Sequence, residues 1–121
     1  MRYLLLIHSE ESRFEAMSED ELAALYEEYG RFTADIQASG HMVAGAQLQP
    51  TSAATSVRIR NGETLVTDGP FAETKEQLGG YYLIEAKDVD EAIEIASRIP
   101  SARAGTIEVR PLVQRPAEVP A

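Results

Sequence analysis

His8 and His41 are the only imidazoles in the chain, and the run Val66-Thr67-Asp68-Gly69-Pro70-Phe71-Ala72-Glu73-Thr74-Lys75 sets a carboxylate, an aromatic ring and an amine close together, shortly before Gly79-Gly80. An imidazole hydrogen-bonded to a carboxylate keeps one tautomer and a raised pKa, which makes it a general base near neutral pH. A lysine beside such a pair steadies negative charge developing on a substrate, and aromatic rings such as Phe71 and Tyr82 exclude water from it. There is no cysteine, so disulfides, thiolate nucleophiles and Cys-ligated metals are excluded. Two histidines do not make a His-rich metal site, and no carboxylate spacing has the form of one. The leading expectation is cofactor-free acid-base chemistry, with a metal enzyme a distant third. Each residue also has an ordinary reading: Asp-Gly-Pro is turn chemistry, a histidine at a strand end is a hydrogen-bonded bystander, and His41 after Gly40 suits a helix C-terminus.

These side chains are far apart in the chain, so the elements between them decide whether they meet. Arg2–His8 is short and apolar without helical period, the pattern of a central strand. Ser18 and Glu21 form a capping box for a helix predicted over Glu19–Ser39, whose Leu22, Leu25, Tyr26, Tyr29, Phe32, Thr33 and Ile36 share one face, with Gly40 as the stop. His41–Leu48 reads as a second strand closed by Pro50. Thr55–Arg60 and Glu63–Asp68 flank Asn61-Gly62, the signature of a type I′ hairpin. Gly80–Ala86 reads as a strand, and Asp88 with Glu91 caps a helix expected to bury Val89, Ala92, Ile93, Ala96 and Ile99. Thr106–Val113 is the last strand, in which Glu108 and Arg110 face away from Ile107 and Val109.

The order is two β-α-β halves around a hairpin, an α+β class, ferredoxin-like split β-α-β plan with an added hairpin. A single domain is expected over residues 1–113, with a frayed tail over 114–121. The first strand is apolar on both sides, and two helices cover only one face. A second copy, sheet against sheet, is the economical cover, so a homodimer of the dimeric α+β barrel kind is expected. With 20 acidic against 11 basic residues the net charge is −9, and no clustered positive charge is present to displace counterions from phosphates. Direct nucleic-acid binding is not expected. Nine of the acids fall within residues 10–35, the pattern of a solvated helix face or of an acidic docking surface. No apolar stretch is long enough to span a bilayer or serve as a signal peptide, so the chain is expected to be cytoplasmic and not to engage membranes.

The run TDGPFAETKEQLGGYYLIE resembles the signature of the YCII-related proteins, in the subgroup named for its DGPF motif, and the resemblance extends from MRYLLLIH to IEVRP. It implies a ferredoxin-like fold assembled as a dimeric α+β barrel, and a biochemical role that is usually unassigned. In some relatives a His-Asp pair is proposed as catalytic. A few are similar to lyases that remove chloride from hydroxylated aromatic rings, and many are encoded beside extracytoplasmic-function sigma factors, which implies a regulatory association.

Only Asp68, within DGPF, maps directly onto the relatives' pair. Their histidine falls early in the first helix, where this chain has none, so the imidazole comes from His8 or His41. In a ferredoxin-like sheet the end of the first strand lies near the start of the strand containing Gly80, and Asp68 opens the loop leading there, which favours His8. The expectation is a pocket at the sheet edge, lined by His8, Asp68, Phe71, Lys75 and Tyr82. There His8 and Asp68 perform cofactor-free acid-base chemistry on a small polar organic molecule. The competing expectation is a non-catalytic ligand-sensing or protein-interaction module working with a sigma factor. Lys75 is expected to pair with Glu73, and Phe71 to plug the loop.

Overall fold

A computed structural model describes residues 1–114, and the expected frayed tail falls almost wholly outside them. β1 (Arg2–Ser9) is followed by a short helix α1 (Glu11–Glu15), the long helix α2 (Glu19–Ala38) and β2 (Met42–Gln47). The hairpin β3 (Thr55–Arg60) and β4 (Glu63–Asp68) comes next, then β5 (Gln77–Glu85), α3 (Val89–Ser97) and β6 (Thr106–Pro111). Four strands form one antiparallel sheet in the order β2-β5-β1-β6, while β3 and β4 form a separate two-stranded sheet. This is the ferredoxin-like split β-α-β arrangement that the element order predicts, with the hairpin inserted between its halves.

Alternation along β1 divides the sheet into two faces. Tyr3, Leu5 and Ile7 are buried and point to the helices, where they meet Phe32 and Ile36 of α2, Ile84 of β5 and Ile95 of α3. Leu4 and Leu6 lie opposite Leu83 and Tyr81 on the other face and are only half-buried. The capping box that starts α2 is present in both directions, with Glu21 N–H donating to Ser18 Oγ and Ser18 N–H to the Glu21 carboxylate, each at 3.1 Å. The backbone bond from Ser18 is the main cause that holds the Glu21 carboxyl below its usual range.

Two details depart from the pattern. α1 has no counterpart among the predicted elements, because five residues with one apolar side chain, Phe14, carry no legible period. The buried face of α3 is Ala92, Ile95 and Ala96, continued by Ile99, while Val89 and Ile93 are about half-exposed at 47% and 51%. The two sets share Ala92, Ala96 and Ile99, and the face turned to the core adds the fully buried Ile95 in place of Val89 and Ile93. The hairpin matches its predicted bounds, with Asn61 and Gly62 at φ 53° and 77°, the two positive values a type I′ turn requires.

Candidate functional site

The apolar stripe of α2 does two jobs. Its C-terminal half, Phe32 and Ile36, is buried in the core, whereas Leu22, Leu25, Tyr26, Tyr29 and Thr33 wall a cavity of about 500 Å³ between the helix and the sheet. A volume of this size suits a small organic molecule. Ile7, Ser9 and Tyr82 form the buried floor, Ser101 closes one side, and residues 47–50, at the end of β2 and just beyond it, form an exposed rim with Tyr26 and Glu15.

Small residues open this space. A Cβ at Gly80 would lie 2.9 Å from the Ala46 carbonyl oxygen, and one at Gly45 would lie 2.9 Å from the Tyr82 ring, so β2 and β5 approach closely only because both positions lack side chains. α1 frames the entrance. The Glu11 carboxylate accepts from Thr51 N–H at 2.7 Å and from Thr51 Oγ at 2.9 Å, and Glu11 N–H donates to Gln77 Oε1 at 2.9 Å.

Three tyrosines carry the polar character of the wall. The Tyr29 and Ser101 hydroxyls share a hydrogen bond of 2.5 Å, and Thr33 and Tyr82 share one of 2.7 Å. Gln47 Nε2 donates to the Tyr26 hydroxyl at 3.1 Å, joining β2 to α2 across the rim. The Tyr82 ring is held edge-on by Phe32, with centroids 5.1 Å apart and planes at 74°. Burial raises the pKa of Tyr29 and Tyr82 above the usual phenol value, against the opposing effect of their hydroxyl partners. Both therefore remain neutral hydrogen-bonding groups through the physiological range.

The residues singled out from the sequence are dispersed. Tyr82 lines the large cavity. Lys75 lines a neighbouring cleft of about 420 Å³ with Glu10, Glu15 and Glu73, and His8, Asp68 and Phe71 line neither. Strand alternation explains His8: Ile7 and Ser9 point to the helices, so His8 points to the opposite face of the sheet, where it sits beside β6. Its Nε2 is 3.7 Å from Glu108 Oε1, within reach of an ion pair but beyond hydrogen-bond distance, and is sealed from solvent with no hydrogen-bond partner among the described residues. Within one chain the carboxylate beside His8 is thus Glu108, which also pairs with Arg110.

Asp68 ends β4 opposite Thr55, on a hairpin that stands apart from the main sheet. Its turn is secured by other groups: Gly69 N–H donates to the Ala54 carbonyl at 2.7 Å, and Ser56 Oγ donates to the Gly69 carbonyl at 2.8 Å. Phe71 is 82% exposed and does not plug the loop, because the loop's apolar ring has no core beneath it. Lys75 forms no ion pair with Glu73 among the described residues, both side chains being solvated at the cleft. His41 bridges Ser39 Oγ at 2.6 Å and Glu91 at 3.3 Å, as suits a histidine following a helix C-terminus. No group of three or more His, Cys, Asp or Glu side chains is arranged to hold a metal ion among the described residues.

Tyr26, Tyr29, Thr33 and Ser101 are the site residues that sequence reasoning missed as such. Their signal was the 26, 29, 33 spacing of polar-tipped side chains inside an apolar stripe, which a dry core has little reason to carry.

Among known proteins, the chain is similar to an uncharacterized protein of Rhizobium meliloti (strain 1021), R00369, with 40% identity over 123 residues and 99% of each chain covered. The YCII-related domain matches residues 1–115, nearly the whole length. On that match and the fold, the chain belongs to the YCII-related domain family.

Proposed function

We propose that this protein binds a small organic molecule with an apolar body in the cavity between α2 and the sheet. The observation that carries the reading is the half-open space of about 500 Å³ at a place where the helix stripe should have been packed solid, walled by Leu22 and Leu25 and set with paired tyrosine hydroxyls. Apolar walls supply the binding free energy, and the few convergent hydroxyls fix orientation. Titration calorimetry with phenylpropanol as probe tests it. The wild-type chain is expected to give saturable binding, and Leu25→Trp, which fills the space, to weaken it about tenfold or more, in line with a loss of about 1.4 kcal/mol. Ala23→Trp, on the exposed side of the same helix, controls for a general effect of the substitution. Equal affinity in Leu25→Trp and wild type would contradict the reading.

Acid-base chemistry is the second reading, and one observation favours it: an imidazole nitrogen withheld from solvent, without a hydrogen-bond partner among the described residues, faces a carboxylate at 3.7 Å. In this reading His8 moves the proton and Glu108 or Asp68 orients it. Deuterium wash-in from D2O into small enolisable carbonyl compounds measures it, with exchange above the buffer rate in wild type and lost in His8→Gln as the expected result. Asp68→Asn and Glu108→Gln then identify the orienting carboxylate. Exchange at the buffer rate in the wild-type protein would remove this reading.

A further inference from the structure

The cavity's lining has a charge character that its size alone does not reveal. Among the described residues no Lys, Arg or His lines it, whereas Glu11 and Glu15 do. The Glu11 carboxylate is committed to Thr51, both oxygens accepting hydrogen bonds, but Glu15 has no hydrogen-bond or ion-pair partner among the described residues and is exposed at the rim. The cleft next door continues the pattern, with Glu10, Glu11, Glu15 and Glu73 against the single amine of Lys75. Phe14 and Tyr26 add two aromatic rings to the same lining.

A carboxylate or phosphate ligand entering here would meet negative charge at the rim with no cation inside to offset its desolvation. The faces of aromatic rings attract cations, and carboxylates at a cleft focus positive charge toward it. We propose that the ligand is an amine: a protonated nitrogen at the rim among Glu15, Tyr26 and Phe14, with an apolar body reaching inward to Tyr29, Thr33 and Tyr82. The inference rests on the cavity being the binding site and adds the charge class of its occupant.

Calorimetry with three probes of one shape separates the two ideas: phenylpropylamine, phenylpropanol and phenylpropanoate, each at low and high salt and each against wild type and Glu15→Gln. The expected order is amine, then alcohol, then acid, with the amine about tenfold tighter than the alcohol at low salt, as a rim carboxylate and ring faces together allow. Salt narrows that ratio, and Glu15→Gln brings it toward parity. If the acid binds as tightly as the amine, or the amine's advantage survives unchanged in Glu15→Gln, the charge inference is overturned while alcohol binding keeps the cavity reading. Failure of all three probes to bind would overturn both.

Discussion

The Glu91 carboxylate joins two parts of the chain. It accepts from Lys87 N–H at 3.0 Å, and His41, just beyond the end of α2, lies 3.3 Å from Oε1, while the Glu91 backbone N–H donates to Asp88 Oδ1 at 2.9 Å. The Lys87 backbone bond, followed by His41, holds the Glu91 carboxyl below its usual value. A carboxyl whose folded pKa is depressed stabilises the fold above its unfolded pKa, and that contribution is lost as pH falls through the folded value. The ordinary glutamate value is 4.5, so the loss is expected below about pH 4.5. Urea unfolding across pH 3 to 7 should show Glu91→Gln less stable than wild type near neutrality and the two converging toward pH 3. A constant gap across that range would assign Glu91 no such role. At this scale the sequence was a partial guide. His41 was legible as a helix-end histidine because it follows Gly40, and Tyr82 because it lies in a clear strand. The face on which His8 points was equally readable from alternation, but its partner was not, since register between β1 and β6 depends on pairing that a single strand does not encode.

At the scale of elements, the cavity exists because β2 and β5 approach closely while α2 stands off at its N-terminal end. Gly80 is the test of that approach, since its neighbour at 2.9 Å is the Ala46 backbone oxygen, which does not yield as a flexible side chain does. Gly80→Ala is expected to cost about 1–3 kcal/mol, the range for overpacking, and to alter probe affinity because β2 must move at the rim. Chemical denaturation and the same calorimetric titration measure both, and a variant as stable as wild type would show that the strands adjust freely. The hairpin and the capped long helix were readable to within a residue because Asn61-Gly62 and the Ser18/Glu21 pair are local signals. α1, the start of β5 at Gln77 and the place of Ile95 on the buried face of α3 were not, because each is decided by tertiary contacts: Glu11 with Thr51, Gln77 with Glu11, and Ile95 within the core.

For the whole molecule, Leu4, Leu6, Leu78, Tyr81 and Leu83 occupy the sheet face away from the helices, and the hairpin carries Val57, Ile59 and Val66 well over half exposed. A lone hairpin is marginal in water, and an apolar sheet face of this kind is usually covered. We propose that a second copy of the chain covers it. Light scattering after size exclusion at micromolar concentration is then expected to report twice the chain mass of 13.3 kDa, and Leu6→Glu to shift it toward the monomer. A wild-type monomer would contradict this. The overall architecture was legible because six strands and two amphipathic helices in a fixed order admit few topologies. The cavity was legible only in the polar tips of Tyr26, Tyr29 and Thr33, because the apolar positions of the stripe look the same whether they face a packed core or an open space. The most direct test of the central claim is therefore the location of a bound probe, read from intermolecular NOEs of phenylpropanol in the isotope-labelled protein. Contacts to Leu25, Tyr29 and Tyr82 are the expected result. Contacts confined to Leu4, Leu6 and Leu83 would contradict it.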